Sequence, residues 1–549
     1  MMSWIVSLYG FMEVLLRGLV LSAQSLTLGG VVFLLIVVPR ESEFSTSIRF
    51  SVERWVRRGA LLLAVVEGLY AALEIAVLMQ SGGFALRDVI AANFALAGFL
   101  AVASSLAIAI LIRAESRSRQ FILLVPSTLI LVAAMITSHA MARLENRLPL
   151  IVLTAAHQGA TAAWIGGLPF LLISLKQLSA PDLIREVCAR FSRLATVSVT
   201  VLAAAGFGLA RFYVGSWDAT YGATYGIMVV GKIVLFGILL SLGALNFRIV
   251  RRLGDTGWFL RSLLHFGEVE IGVGFTVILL AASLTSLAPA VDTPMQTLPT
   301  ADIAARMMPQ WPPQIMAESS QPAHATDRLE AKSATSKTVQ TESPIPSETS
   351  QASGAASEER WMDNPHHWAA LVVLPCGLLA LLGRLKRFRF AQNWPLLFPA
   401  LGLVLFLMSD SQYWPLGSGS IWNSFLDPVV LPHRIIEVLI AVFGIFEWKV
   451  QTQGVTSTKA SLVFPSVVAF SSALLLAHSH NVADSQLQEE LVSEASHISI
   501  AVLGIAGGWS RWLELRLPSG DRTRRAMSWI WPVCFLIIGI LLASYQGDS

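Results

Sequence analysis

The stretch "YGIMVVGKIVLFGILLSLGALNF", residues 225–247, decides the fold. Its 23 residues carry one charge, Lys232, and at about 1.5 Å per residue a helix of that length covers the roughly 30 Å hydrocarbon core of a bilayer. Hydrocarbon offers no partner to an N–H or C=O, so the run must satisfy its own backbone as a helix. Arg248 and Arg251 follow at once, which marks that end as the one that stays in the cytoplasm.

The rest of the chain repeats the pattern. Of 549 residues 54% are hydrophobic and 14% charged, with mean hydropathy +0.63, a composition that excludes an ordinary soluble fold. Windows of about 20 apolar residues fall near 12–39, 59–79, 89–112, 121–142, 150–175, 194–214, 225–247 and 264–289. After a gap they resume near 366–383, 394–409, 430–448, 462–478, 492–510 and 527–545. The expected fold is an all-α polytopic integral membrane helix bundle of about 14 transmembrane helices in an 8 + 6 arrangement. Its membrane domains are residues 1–289 and 365–549. Residues 290–364, with "SPIPSETSQASGAASEE" at their centre, lack the apolar periodicity needed to pack a core and read as a disordered linker.

Lysine and arginine set the direction, because basic residues resist translocation. With the N-terminus outside, the segments 40–58, 113–119, 176–193, 248–261, 384–389, 449–459 and 511–525 are cytoplasmic and hold 27 of the 39. The short external loops hold Arg87, Arg143, Arg147 and Arg211. Both termini and the linker then face outward. The first apolar run is long and ends in a basic cluster instead of a small-residue cleavage site, so it is expected to be a true span and not a signal peptide.

The net charge of +3 is dealt out loop by loop, with no nucleic-acid stripe. Cys188, Cys376 and Cys534 are odd in number and form no CxxC, so neither a disulfide framework nor a thiolate zinc site is expected. There is no Walker A loop, HExxH or GxSxG element. The chain reads as a non-enzyme without an ATP motor of its own.

The topology sorts the ten histidines. His139 closes span four and His157 lies seven residues into span five, about 10 Å from its outer end. His366 and His367 open span nine, His433 opens span eleven, His478 and His480 close span twelve, and His497 lies near the start of span thirteen. Only His265 and His324 stand apart. A lone histidine at headgroup level is an ordinary packing residue, but eight on one membrane face point to a transition metal or haem.

Spacing refines the candidates. Met135 and His139, four apart in "MITSH", place a thioether and an imidazole on one helical face, a pair suited to Cu(I). His157, Thr161 and Trp164 in "HQGATAAWIGG" follow an i, i+4, i+7 pattern, as do Glu490, Glu494 and His497. "HSH" aligns His478 and His480 only if the chain is extended there. Glu67, Glu74, Lys232 and Glu270 are ionisable groups inside spans, so they are expected to face the bundle interior, as a cation or proton path or as internal ion pairs.

The runs "LTAAHQGATAAWIGGLPFLL", "RFSRLATVSVTVLAAAGFGLARF", "ATYGIMVVGKIVLFGILLSLGALNFRIVRRL" and "EVEIGVGFTVILLAASLTSLAPA" resemble the copper-resistance protein D (CopD) family over roughly residues 10–290. The six later spans look like a C-terminal extension found in long members. The resemblance implies copper transport or homeostasis at the bacterial inner membrane, with the family's motif histidines falling on His139 and His157. It further implies a separate periplasmic copper-binding partner of the CopC type, since no β-domain of that kind is present in this chain. Metal ligands are thus expected among His139, His157, His433, His478, His480, His497 and Glu490, with Glu67, Glu74, Lys232 and Glu270 along the path. The alternative is a membrane cytochrome binding haem b through His139, His157, His433 or His497.

Overall fold

The computed structural model describes residues 9–39, 43–113, 119–251, 257–293, 369–385, 388–408, 412–427, 430–452, 458–475 and 487–544. These residues form helices and turns, and the β-structure among them is one isolated bridge, Tyr413 to Gly419. The first half contains α1 (Tyr9–Ile36), α2 (Glu43–Gly82), α3 (Asn93–Leu111), α4 (Leu124–Ile136) and α5 (Arg147–Thr161). A π-helical turn, Ala162–Gly166, carries α5 into α6 (Leu168–Leu175); α7 (Pro181–Tyr213), α8 (Thr224–Arg251) and α9 (Gly257–Ser286) follow. The second half contains α10 (Ala369–Leu382), α11 (Leu397–Met408), α12 (Leu431–Thr452), α13 (Val463–Leu474), α14 (Leu487–Arg516) and α15 (Arg522–Ser544).

Among the described residues nine helices are long and apolar enough to cross a membrane, and three shorter apolar helices accompany them. The protein is a multi-pass membrane helix bundle. Leu62, Val65, Ile110, Val152 and Phe207 point outward from it, which suits a lipid-covered surface; in water such a belt would drive aggregation.

Lipid tails are as apolar as leucine, so helices here associate through close packing at small residues. The tightest contact joins α1 to the π turn. A Cβ on Gly166 would lie 1.9 Å from the Ser25 carbonyl oxygen, and one on Gly29 would lie 2.3 Å from that of Ala162. The two backbones therefore touch with no side chain between them.

The second half leans on the first through α14, which packs against α8 and α9. The Trp509 ring lies over Gly272, and Arg516 grips Glu268 with two hydrogen bonds of 2.9 and 2.7 Å. Beside this contact a crevice of about 520 Å³ opens between the halves, lined by Leu15, Leu19, Phe275, Phe470, Trp509 and Trp512 among others. Its lining is apolar apart from Ser22 and Glu268.

Two buried ionic clusters brace the second half. Glu514 accepts from Arg384, from Arg511 at 2.7 Å and from the Trp531 indole at 2.7 Å, while Arg511 also reaches Glu447 at 3.4 Å. Arg434, 1% exposed, donates to Ser424, to the Phe406 carbonyl and to Glu437.

The first residues of the expected linker, 290–364, form a 3₁₀ turn, Ala290–Asp292, which is tied back to the first half by an Arg143–Asp292 ion pair of 2.6 Å. Residues 294–368, the bulk of that linker, lie outside the described residues.

Candidate functional site

His139 and His157 of the first half are set against the same helix. α4 ends at Ile136, where the Ser138 backbone N–H and hydroxyl both donate to the Met135 carbonyl, at 3.1 and 2.7 Å. His139 then opens a separate short helix, His139–Ala142. The expected shared face of Met135 and His139 is therefore broken: a serine that bonds backward closes the helix between them. Met135 is buried in the core instead. The His139 ring meets Tyr213 of α7 edge-on at 6.4 Å, and its Nε2 is buried without a hydrogen-bond partner.

His157 lies deeper, on α5. Its ring packs over Gly206 of α7, where an added Cβ would stand 3.4 Å from Cε1, and its Nδ1 is likewise buried without a partner. The field of the Lys232 ammonium on α8 reaches this ring. Gly206 and Tyr213 are seven residues apart, two turns along one face of α7 or about 10 Å. Two imidazoles with unsatisfied nitrogens are thus stationed in file along α7.

Beyond His157 the helix changes pitch. Thr161 donates to the His157 carbonyl at 2.8 Å, and the π turn starts at the next residue. The extra residue in that turn displaces Trp164 from the simple i+7 face the sequence suggests, because α1 presses on the backbone there. Trp164 instead aims its indole N–H at Glu270 of α9, 2.8 Å from Oε1. Asn246 of α8 donates to the other oxygen at 2.5 Å, while its own Oδ1 has no partner.

On α2, Glu74 meets α1 through Tyr9, whereas Glu67 lies beside Gly98 of α3. Tyr9 donates to Glu74 at 2.9 Å, and the Arg17 guanidinium stands over the Tyr70 ring at 5.7 Å, where its charge acts on Glu13, Glu67 and Glu74. Arg17, 9% exposed, is a member of this group that the sequence reading overlooked; an arginine inside an apolar run was the available signal. Asn246 was overlooked as well, since a single amide in an apolar span is indistinguishable from a packing residue until its neighbours are known.

His478 and His480 lie outside the described residues. His433 and Glu490 fall within α12 and α14, whose backbones alone are described at those positions, and His497 is part-buried on α14. Glu490, Glu494 and His497 keep their helical spacing on α14. Among the described residues no three His, Cys, Asp or Glu side chains converge as a metal site.

Residues 185–284, which include most of α7, all of α8 and most of α9, match the family model described as copper resistance protein D. The copper transport protein CutJ of Bacillus subtilis (strain 168) is 32% identical over 161 residues, which is 29% of this chain and 29% of that protein. The matched stretch thus spans less than a third of the relative's length. No solved structure matches. Residues 185–284, on the helices that hold Gly206, Tyr213, Asn246 and Glu270, are thus the part of the chain that is similar to the copper resistance protein D (CopD) family.

Proposed function

We propose that the chain moves copper across the bacterial inner membrane, in import or resistance, and captures it on the periplasmic side through histidines. One observation carries this reading: His139 and His157 each bury a nitrogen that has no protein partner, and both rest on α7 of the CopD segment. Buried polar nitrogens are normally paired, and imidazole is among the preferred ligands of copper. His433, His478, His480, His497 and Glu490 are proposed as a second external set, which receives or regulates copper in the C-terminal half. Glu67, Glu74, Lys232 and Glu270 line the way inward.

The proposed topology has fourteen spans in an 8 + 6 arrangement. It adds the three shorter apolar helices, α12 and α14 to the nine long spans, with both termini and the linker in the periplasm. Residues 1–289, 290–364 and 365–549 are the corresponding segments. With no Walker A loop in the chain, the driving force is a gradient or the membrane potential, worth about 2.3 kcal/mol per charge per 100 mV. A separate CopC-like periplasmic protein is the proposed donor of copper.

Copper uptake into sealed vesicles holding the purified chain tests this. The His139→Ala/His157→Ala double variant is expected to lose at least tenfold in initial rate, about 1.4 kcal/mol; an unchanged rate overturns the reading. An absorption spectrum of the same sample with a Soret band would assign the imidazoles to haem instead.

A further inference from the structure

A buried imidazole and a buried carboxyl call for different ligands, and the π turn that follows His157 leads through Trp164 to the carboxyl of Glu270. Glu270 is 3% exposed and sits in the first half of α9, towards the helix end that follows the basic 248–261 segment. Its two oxygens accept from Trp164 at 2.8 Å and Asn246 at 2.5 Å. Among the described residues no lysine or arginine nitrogen comes within 4.0 Å of it.

On α8, Arg248 is exposed and Arg251 stands over the Phe247 ring. Arg516 of α14 and Lys176, just beyond α6, hold Glu268. Arg17 of α1 stands over Tyr70. Lys232 is fourteen residues from Asn246 on α8, about 21 Å along the helix. His265 is five positions earlier on α9, rotated away by about 140°. The π turn, α6 and α13 carry no charged residue at all.

An ionised carboxylate without a counter-ion is strongly disfavoured in a low-dielectric interior, and a proton removes that charge. The second observation is the Asn246 Oδ1, a buried acceptor with no donor. A half-turn of the amide presents this oxygen to a carboxyl O–H, so Asn246 can hold Glu270 in either state: its N–H donates to the carboxylate, and its Oδ1 accepts from the protonated carboxyl. Carboxyl and amide oxygens are hard donors, whereas Cu(I) favours imidazole and sulfur. The site is built for a proton and the two histidines for the metal.

We infer that Glu270, positioned by Trp164 and Asn246, carries the proton that is exchanged as copper passes through the first-half bundle. This rests on the copper-transport reading above. In the step itself the carboxyl O–H bond breaks, its electron pair stays on the carboxylate, and the proton leaves to water at the 248–261 face. The negative charge left behind compensates the cation while it is inside the bundle, and a proton taken up from water at the opposite, external face resets the site once the cation has gone, so that a net proton crosses with each cycle.

The test uses the full chain in sealed vesicles with a trapped pH dye and copper(I) supplied outside under reductant, with copper and proton movement recorded together. The wild type is expected to move protons with copper, at a rate that varies with pH. Glu270→Gln is expected to lower the protons moved per copper at least tenfold and to flatten the pH profile. An equal ratio in the two proteins overturns the inference.

If the wild type takes up no copper, it is the transport reading that fails. Infrared spectroscopy of the same samples then decides the fate of Glu270. A protonated-carboxyl C=O band present in the wild type at neutral pH and missing in Glu270→Gln supports a proton-holding role. Identical spectra refute it. Trp164→Phe, which removes one donor and keeps the carboxyl, is expected to shift that band without abolishing it.

Discussion

At the residue scale, single atoms decide whether two helices can touch. Gly166 has the Ser25 carbonyl in the place where a side chain would begin, at 1.9 Å. Gly166→Ala must push α1 away from the π turn, and overpacking of this kind costs about 1–3 kcal/mol. A lower thermal midpoint in detergent is expected, and an unchanged one would mean that α1 is free to shift. His139 carries a pH signature of its own. Burial, above all, pushes it below the ordinary histidine value of 6.5, helped by Arg17 and Arg143 and opposed by Asp292 and a bond with the Thr285 backbone. The folded chain therefore takes the proton less readily than the unfolded chain. The stability contribution is complete above about pH 6.5 and is lost as pH falls through the lower folded value. His139→Gln is expected to show a shallower loss of stability below that pH when unfolding midpoints are measured across a pH series.

At the element scale, the buried charges of the second half act as a tie between helices. Glu514 of α14 receives Arg384, Arg511 and the Trp531 indole of α15. Removing its charge in Glu514→Gln leaves two guanidinium groups without their shared partner, a change worth about 3–5 kcal/mol for a buried pair. Denaturant titration should show a midpoint drop far larger than that of Gly166→Ala; a drop no larger would mean that water reaches the cluster.

The long helices were legible in the sequence because apolar runs in lipid have no other option, and α8 coincides with the quoted stretch to within a few residues at each end. The breaks were not legible. Ser138 and the π turn at Ala162 depend on which backbone lies alongside, and Trp164, Asn246 and Glu270 meet across separations of up to 106 residues. His139 and His157 were legible as candidates, but their common neighbour α7 was not, since a residue's periodicity reports its own helix and not the one it faces.

At the scale of the whole molecule, α14 joins two halves that the chain separates by a long intervening segment. Trp509 covers Gly272 and Arg516 holds Glu268, so a chain ending before α14 leaves that side of α8 and α9 bare. Such a truncation, stopped after Asp292, is expected to be degraded faster than the full chain in a pulse-chase experiment. An equal half-life would show that the first half stands alone.

The same contact also sets a schedule. Trp509 is synthesised 237 residues after Gly272, which at about 5–20 residues per second is a delay of roughly 10–50 s. For that interval lipid must cover the seat of Trp509, and Glu268 has Lys176, 3.8 Å away, as its cation in place of Arg516. The first half is thus made to wait in the membrane, and the arrival of α14 marks the moment at which the bundle closes.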